Sequence, residues 1–122
     1  MVPHGVSTIT SLAALGLSTI FGLAQTANIV GLGATTCKNF VSEVEQNARV
    51  QRDYFAWAQG FMSGVLMRAP PGVDEGLELN PPAFPLLRQT EFLRSFCARN
   101  PDKDYSDGVI ELYRALRIEK RL

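Results

Sequence analysis

The chain has 122 residues, with 12 basic and 12 acidic side chains, one histidine and two cysteines. This length is enough for one small domain. The balanced charge argues against a nucleic-acid-binding protein, which normally carries a basic excess. The charges are unevenly distributed, because all of them lie between Lys38 and Arg121 and residues 1–37 carry none. The front of the chain therefore differs chemically from the rest.

The segment from Ile9 to Ala24 is apolar, with scattered serine and threonine. It is typical of the apolar part of a secretory signal, and Gly22 and Ala24 are small residues at the two positions that define a cleavage site. The basic residues that normally precede such a run are missing. We predict that residues 1–24 are a cleavable signal peptide and that the protein is exported to the periplasm. An uncleaved membrane anchor and a buried helix of a cytosolic domain are the alternatives.

Residues 25–36 are predicted to be a flexible lead-in to one helical domain, which spans residues 37–122. Gly31 and Gly33 resemble the beginning of a dinucleotide-binding loop. The third glycine of that pattern would fall at Thr36, however, and no βαβ unit follows. We therefore expect no nucleotide cofactor.

Helical periodicity predicts four helices in this domain, and no strand pattern competes with it. The predicted helices span Lys38–Ala48, Asp53–Arg68, Leu86–Arg99 and Ser106–Ile118.

The second of these helices is apolar around much of its circumference, so we expect it to be the central one, covered by the others. Ala56, Gly60 and Gly64 form a line of small residues along it. Glycine inside a helix costs about 1 kcal/mol relative to alanine, so we expect another helix to pack closely against this line. A membrane-dimer motif is the alternative, but the run is short and contains Asp53 and Gln59.

Residues 69–85 contain five of the seven prolines and two glycines. This density excludes a regular helix and predicts a long loop. Loops of this length are uncommon unless they are functional or mobile, so we expect a binding surface here. Asp74, Glu75 and Glu78 are its candidate contact residues; a plain solvated acidic loop is the alternative to a cation site.

Cys37 opens the first helix and Cys97 lies near the end of the third. Two cysteines in a small exported chain predict one disulfide. Closing a loop of about 60 residues would contribute ~4 kcal/mol through the lost entropy of the unfolded chain. The predicted fold is thus an all-α, small four-helix orthogonal bundle closed by one disulfide and preceded by a cleavable signal helix.

Removal of the signal would remove His4, the single histidine of the chain. A mature protein without histidine cannot form most hydrolase catalytic triads or most zinc sites. The acidic run that begins at Asp102 is spaced like a calcium loop, but other residues occupy the positions of its glycine and its bidentate glutamate. Helix capping by Asp104 or Ser106 explains this run better. We predict no catalytic residue, no metal site and no cofactor, and therefore no enzyme.

The run from Trp57 to Gly64, the aromatic residues Tyr54, Phe96 and Tyr113 and the two cysteines form a set of motifs along the predicted helices. Together these motifs resemble a group of small exported proteobacterial proteins of unknown function. The resemblance covers residues 37–117 and centres on the run Trp-Ala-Gln-Gly-Phe-Met-Ser-Gly. The layout is also similar to the Rap/Tai immunity proteins, which neutralise secreted toxins, and more distantly to the HdeA-type acid-stress chaperones. The residues that carry the resemblance, besides the two cysteines, are Tyr54, Trp57, Gly60, Phe61, Gly64, Phe96 and Tyr113.

From this resemblance and the missing catalytic groups we expect an exported, non-catalytic protein that binds another protein. Neutralising a toxin, as an immunity protein does, is the concrete form of this hypothesis. An acid-stress chaperone and a membrane-anchored structural protein are the alternatives. We expect no nucleic acid and no small-molecule substrate, and membrane contact only if the N-terminal segment is retained.

Overall fold

The structure, a computed structural model, describes residues 1–3, 5 and 27–121. A short 3-10 helix at Gly31–Ala34 precedes four α-helices, and no strand occurs in the described part of the chain. The α-helices are α1 (Cys37–Gln46), α2 (Val50–Arg68), α3 (Leu86–Arg99) and α4 (Tyr105–Lys120). The predicted all-α class with four helices is confirmed. The predicted signal peptide and its cleavage site after Ala24 lie outside the described residues.

Side chains just before α1 and α4 cap their N-termini, as the sequence predicts for α4. The hydroxyl of Thr36 accepts a hydrogen bond from the backbone N–H of Asn39 at 3.3 Å. At α4 the backbone N–H of Asp104 donates to the carboxylate of Asp107 at 2.9 Å. These bonds satisfy N–H groups that have no partner inside their own helix. Helix capping, in which Asp104 and Asp107 take part, therefore accounts for the acidic run.

A disulfide between Cys37 and Cys97 joins the beginning of α1 to the end of α3, as predicted. Both cysteines are buried. Two backbone hydrogen bonds lie beside it: the N–H of Cys37 donates to the carbonyl of Lys103 at 2.7 Å, and the N–H of Tyr105 donates to the carbonyl of Thr35 at 2.8 Å. The starts of α1 and α4 and the end of α3 are thereby fixed to one another.

The most deeply buried helix is α4, with seven buried residues against four in α2, whereas the sequence pattern predicted that α2 would be covered by the others. α4 contacts α2, α3 and the 3-10 helix. At its N-terminal end the ring of Tyr105 meets the rings of Phe40 from α1 and Tyr54 from α2, at 4.6 Å and 5.0 Å between centroids. Its buried residues are Tyr105, Ser106, Gly108, Val109, Leu112, Tyr113 and Leu116.

Within residues 27–121 no other helix packs against the line of small residues on α2, so the expected close approach at Gly60 and Gly64 is not found among the described helices. Both lie on the exposed side of α2 with Ala56. A Cβ atom added at either glycine would meet no atom within 4 Å. The close approach occurs instead between α3 and α4, where a Cβ on Gly108 would lie 2.9 Å from the ring of Phe96.

Part of the predicted flexible lead-in is packed on the bundle. The 3-10 helix contacts α2 and α4, and its Gly33 is buried. A Cβ on Gly33 would lie 2.1 Å from two ring atoms of Trp57. Trp57 therefore lies across the backbone of this turn, and the packed unit begins before Cys37.

The proline-rich loop is held to the bundle at its middle and at its end. Leu77 and Phe84 are buried in the core. The buried amide of Gln89, on α3, donates hydrogen bonds to the carbonyls of Leu79 and Phe84, both at 2.9 Å. Because these carbonyls are withdrawn from water, the amide supplies the hydrogen bonds that they need.

Candidate functional site

An open groove with a volume of about 580 Å³ lies between α2, the start of the proline-rich loop and α4. We call it the α2–α4 groove. Its wall is largely apolar, and three aliphatic residues on it are more than a third exposed: Val65 at 38%, Val73 at 42% and Ile110 at 36%. The residues that line it are Phe61, Val65, Arg68, Ala69, Pro70, Val73, Asp74, Ile110, Tyr113, Arg114 and Arg117.

The two helices run in the same direction along the groove. Tyr54 and Trp57, in the N-terminal half of α2, both pack on Tyr105 at the start of α4. The parts of both helices that follow these contacts line the groove. On α2 an exposed valine, Val65, is followed one turn later by an arginine, and Ile110 on α4 is followed in the same way. The groove therefore has an apolar end and a cationic end.

Three arginines and one carboxylate are the charged groups that line the groove, although the chain as a whole is neutral. Arg117 pairs with Asp74, with 2.6 Å between Nε and the carboxylate oxygen. Arg114 pairs with Glu111, one turn earlier on α4, and the two side chains are 62% and 42% exposed. Among the described residues, Arg68 forms no ion pair. The groove wall thus carries an excess of positive charge.

One acidic residue joins the loop to α4, in an arrangement that we call the Asp74 anchor. Tyr113 donates its hydroxyl hydrogen to the carboxylate of Asp74 at 2.8 Å, beside the ion pair with Arg117. Burial raises the pKa of Tyr113 to about 12, and the hydrogen bond to the carboxylate adds to this, since a neighbouring negative charge disfavours the phenolate. The anchor holds the loop as one wall of the groove.

The residues of the predicted motif are divided between core and surface. Tyr54, Phe96 and Tyr113 are buried. Trp57 and Phe61 are half-buried and stacked on each other, with 5.2 Å between ring centroids. The two glycines between and after them are exposed, and Gly60 borders a second depression that the Trp57 and Phe61 rings also line. Phe61 therefore contributes to both depressions.

The three loop acids, which the sequence analysis proposed as contact residues, lie in different surroundings. Asp74 is bound inside the molecule by Tyr113 and Arg117, so it is not a free contact residue. Glu75 and Glu78 are exposed. The backbone carbonyl of Glu75 accepts a hydrogen bond from Lys120 on α4. The acidic loop is therefore fastened to α4 rather than presented as a whole to solvent.

The sequence analysis did not identify Arg68, Val73, Ile110 or Arg114 as site residues. One signal was present: Ile110 lies outside the apolar stripe that the rest of α4 follows, and an isolated apolar residue on the polar side of a helix marks exposed apolar surface. The pairing of Ile110 with Val65 across the groove depends on how α2 and α4 pack, and no local pattern encodes it.

The described residues contain no cluster of histidine, cysteine and acidic side chains that could hold a metal ion. None of the helices in residues 27–121 is long and apolar enough to cross a membrane. Comparison with protein-family models, with curated proteins and with solved structures finds no match to this chain.

Proposed function

We propose that this chain is an exported, non-catalytic protein-binding domain and that it binds its partner in the α2–α4 groove. The observation that carries the proposal is the exposed apolar wall formed by Val65, Val73 and Ile110. Contiguous apolar surface on a small protein commonly marks a site of interaction with another protein. The partner would cover it and remove it from water.

The concrete form of this proposal is an immunity-like protein of the periplasm, which binds and neutralises a toxin. It is supported by the resemblance carried by the Trp57–Gly64 run and by the apolar N-terminal segment typical of a signal. The disulfide between Cys37 and Cys97 agrees with an oxidising compartment.

A first experiment tests export. The intact mass of the protein from a periplasmic extract is measured with and without reduction before alkylation. We expect the mass of residues 25–122, with both thiols protected until they are reduced. A full-length mass with two free thiols would contradict export and would favour a retained N-terminal segment.

A second experiment tests binding in the groove. A photoreactive amino acid replaces Val65 in the groove or, as the control, Arg94 on the exposed side of α3. We expect cross-linking to one protein at position 65 and not at position 94. That protein is then identified, purified and titrated against the wild type and the Val65→Asp variant. Equal cross-linking at positions 65 and 94 would contradict the proposal. Equal binding of the captured protein by the wild type and by the Val65→Asp variant would also contradict it.

A second candidate function, an acid-stress chaperone, is favoured by the Asp74 anchor. Loss of the ion pair between Asp74 and Arg117 would release the loop from α4 and expose Leu77, a buried residue of the loop. Binding of an apolar dye and suppression of client aggregation at roughly pH 2–3, where carboxylates are protonated, would support it. A protein that stays closed and inactive under these conditions would exclude it.

A further inference from the structure

We propose that the α2–α4 groove recognises an acidic amphipathic segment of its partner, in which apolar side chains alternate with carboxylates along one face. The apolar side chains would lie between Phe61, Val65 and Ile110, and the carboxylates would meet Arg68 and Arg114. This inference rests on the proposed function and adds to it the chemistry of the partner.

The apolar end of the groove sets the first requirement. Val65 and Ile110 remain more than a third exposed although they face a depression walled by Phe61 and Tyr113. Burying apolar surface contributes about 25 cal/mol per Å² removed from water. A partner that places branched apolar side chains here gains this contribution, whereas a wholly polar segment gains nothing.

The cationic end sets the second requirement. The lining charges are those of Arg68, Arg114, Arg117 and Asp74, and the last two neutralise each other. Arg114 faces Glu111 in an exposed pair, which is worth little and can be exchanged for a carboxylate of the partner. Arg68 forms no ion pair with a described residue. A basic segment would therefore be repelled and an acidic one attracted, which fixes the sign of the partner.

Two synthetic peptides serve as probes, and both carry leucines on one face of a twelve-residue helix. The first has glutamates beside the leucines and the second has lysines in the same places. Binding is measured by fluorescence anisotropy against the wild-type protein with its disulfide intact. We expect the glutamate peptide to bind about tenfold more tightly at low salt, and this preference to shrink as salt screens the charges.

Variants separate the charge from the apolar contact. Arg68→Glu should abolish or reverse the preference for the glutamate peptide. Arg94→Glu makes the same change of charge on the exposed side of α3, away from the groove, and should leave the preference in place. Ile110→Asp should weaken the binding of both peptides. Circular dichroism and the protected disulfide show whether each variant is folded.

The outcomes distinguish the inference from the proposed function. Equal binding of the two peptides, with loss of both in Ile110→Asp, would overturn the acidic preference and leave protein binding in the groove intact. Binding of neither peptide, together with cross-linking of a protein at Val65, would also overturn the inference alone. Binding of neither peptide and no cross-linking at Val65 would overturn both.

Discussion

Gly33 illustrates how a single missing methyl group fixes the position of a large side chain. Its hydrogen atoms face the ring of Trp57, and a Cβ would lie 2.1 Å from two ring carbons. We expect Gly33→Ala to lower the free energy of unfolding by about 1–3 kcal/mol, the usual cost of forcing an extra methyl group into a packed site. Urea denaturation followed by the fluorescence of Trp57 measures this change.

The same substitution at Gly60 is the matched control. A Cβ there meets no atom within 4 Å, and alanine is the better helix former by about 1 kcal/mol. Gly60→Ala should therefore leave stability unchanged or raise it. An equal loss in both variants would show that the close packing of Gly33 on Trp57 is not what makes the first change costly.

At the scale of elements, the Asp74 anchor holds the proline-rich loop against α4. Asp74 has a φ of 58°, a left-handed conformation that asparagine also tolerates. Asp74→Asn therefore keeps the backbone and removes the charge that pairs with Arg117. We expect the free energy of unfolding to fall by about 1.5–3 kcal/mol, the range for hydrogen bonds to charged groups. Urea denaturation measures it.

Two further variants show whether that loss comes from the anchor itself. Glu75→Gln neutralises the neighbouring exposed acid and should change stability by less than about 0.5 kcal/mol. In an Arg117→Gln background, Asp74→Asn should cost less than in the wild type, because the ion pair is already absent. If Asp74→Asn lowered the free energy of unfolding in that background as much as in the wild type, Asp74 would stabilise the protein without Arg117.

Local patterns predicted the helices well because their beginnings and ends are marked by nearby residues. α3 has the predicted bounds of Leu86 and Arg99, with prolines on either side of it. α2 begins at Val50, three residues earlier than predicted. Its first turn lies in a segment without strong hydrophobic periodicity, so the sequence pattern did not mark this start. The capping at Asp104 could also be predicted from the sequence, since its partner, Asp107, lies only three residues away.

The packing of the whole molecule was much less predictable, because it depends on pairs of residues far apart in the chain. Glycine at position 108 and glycine at position 60 both lie inside helices, yet only Gly108 faces another helix closely. The same limit applies to the groove, since Val65 and Ile110 are 45 positions apart in the sequence. The disulfide was the exception, because a chain with two cysteines allows one pairing.

All three tyrosines of the chain are buried, which gives the whole molecule a predictable response to alkali. Burial raises the pKa of Tyr54, Tyr105 and Tyr113, the last to about 12. In the unfolded chain a tyrosine loses its proton near pH 10. The folded state therefore binds more protons above that pH, and its stability should be complete below pH 10 and fall as the pH rises towards 12. Urea midpoints across this range measure the fall.

Tyr113→Phe should make the fall of stability with pH shallower, even though it also removes the hydrogen bond to Asp74 at neutral pH. An identical slope in that variant would mean that Tyr113 does not contribute to it.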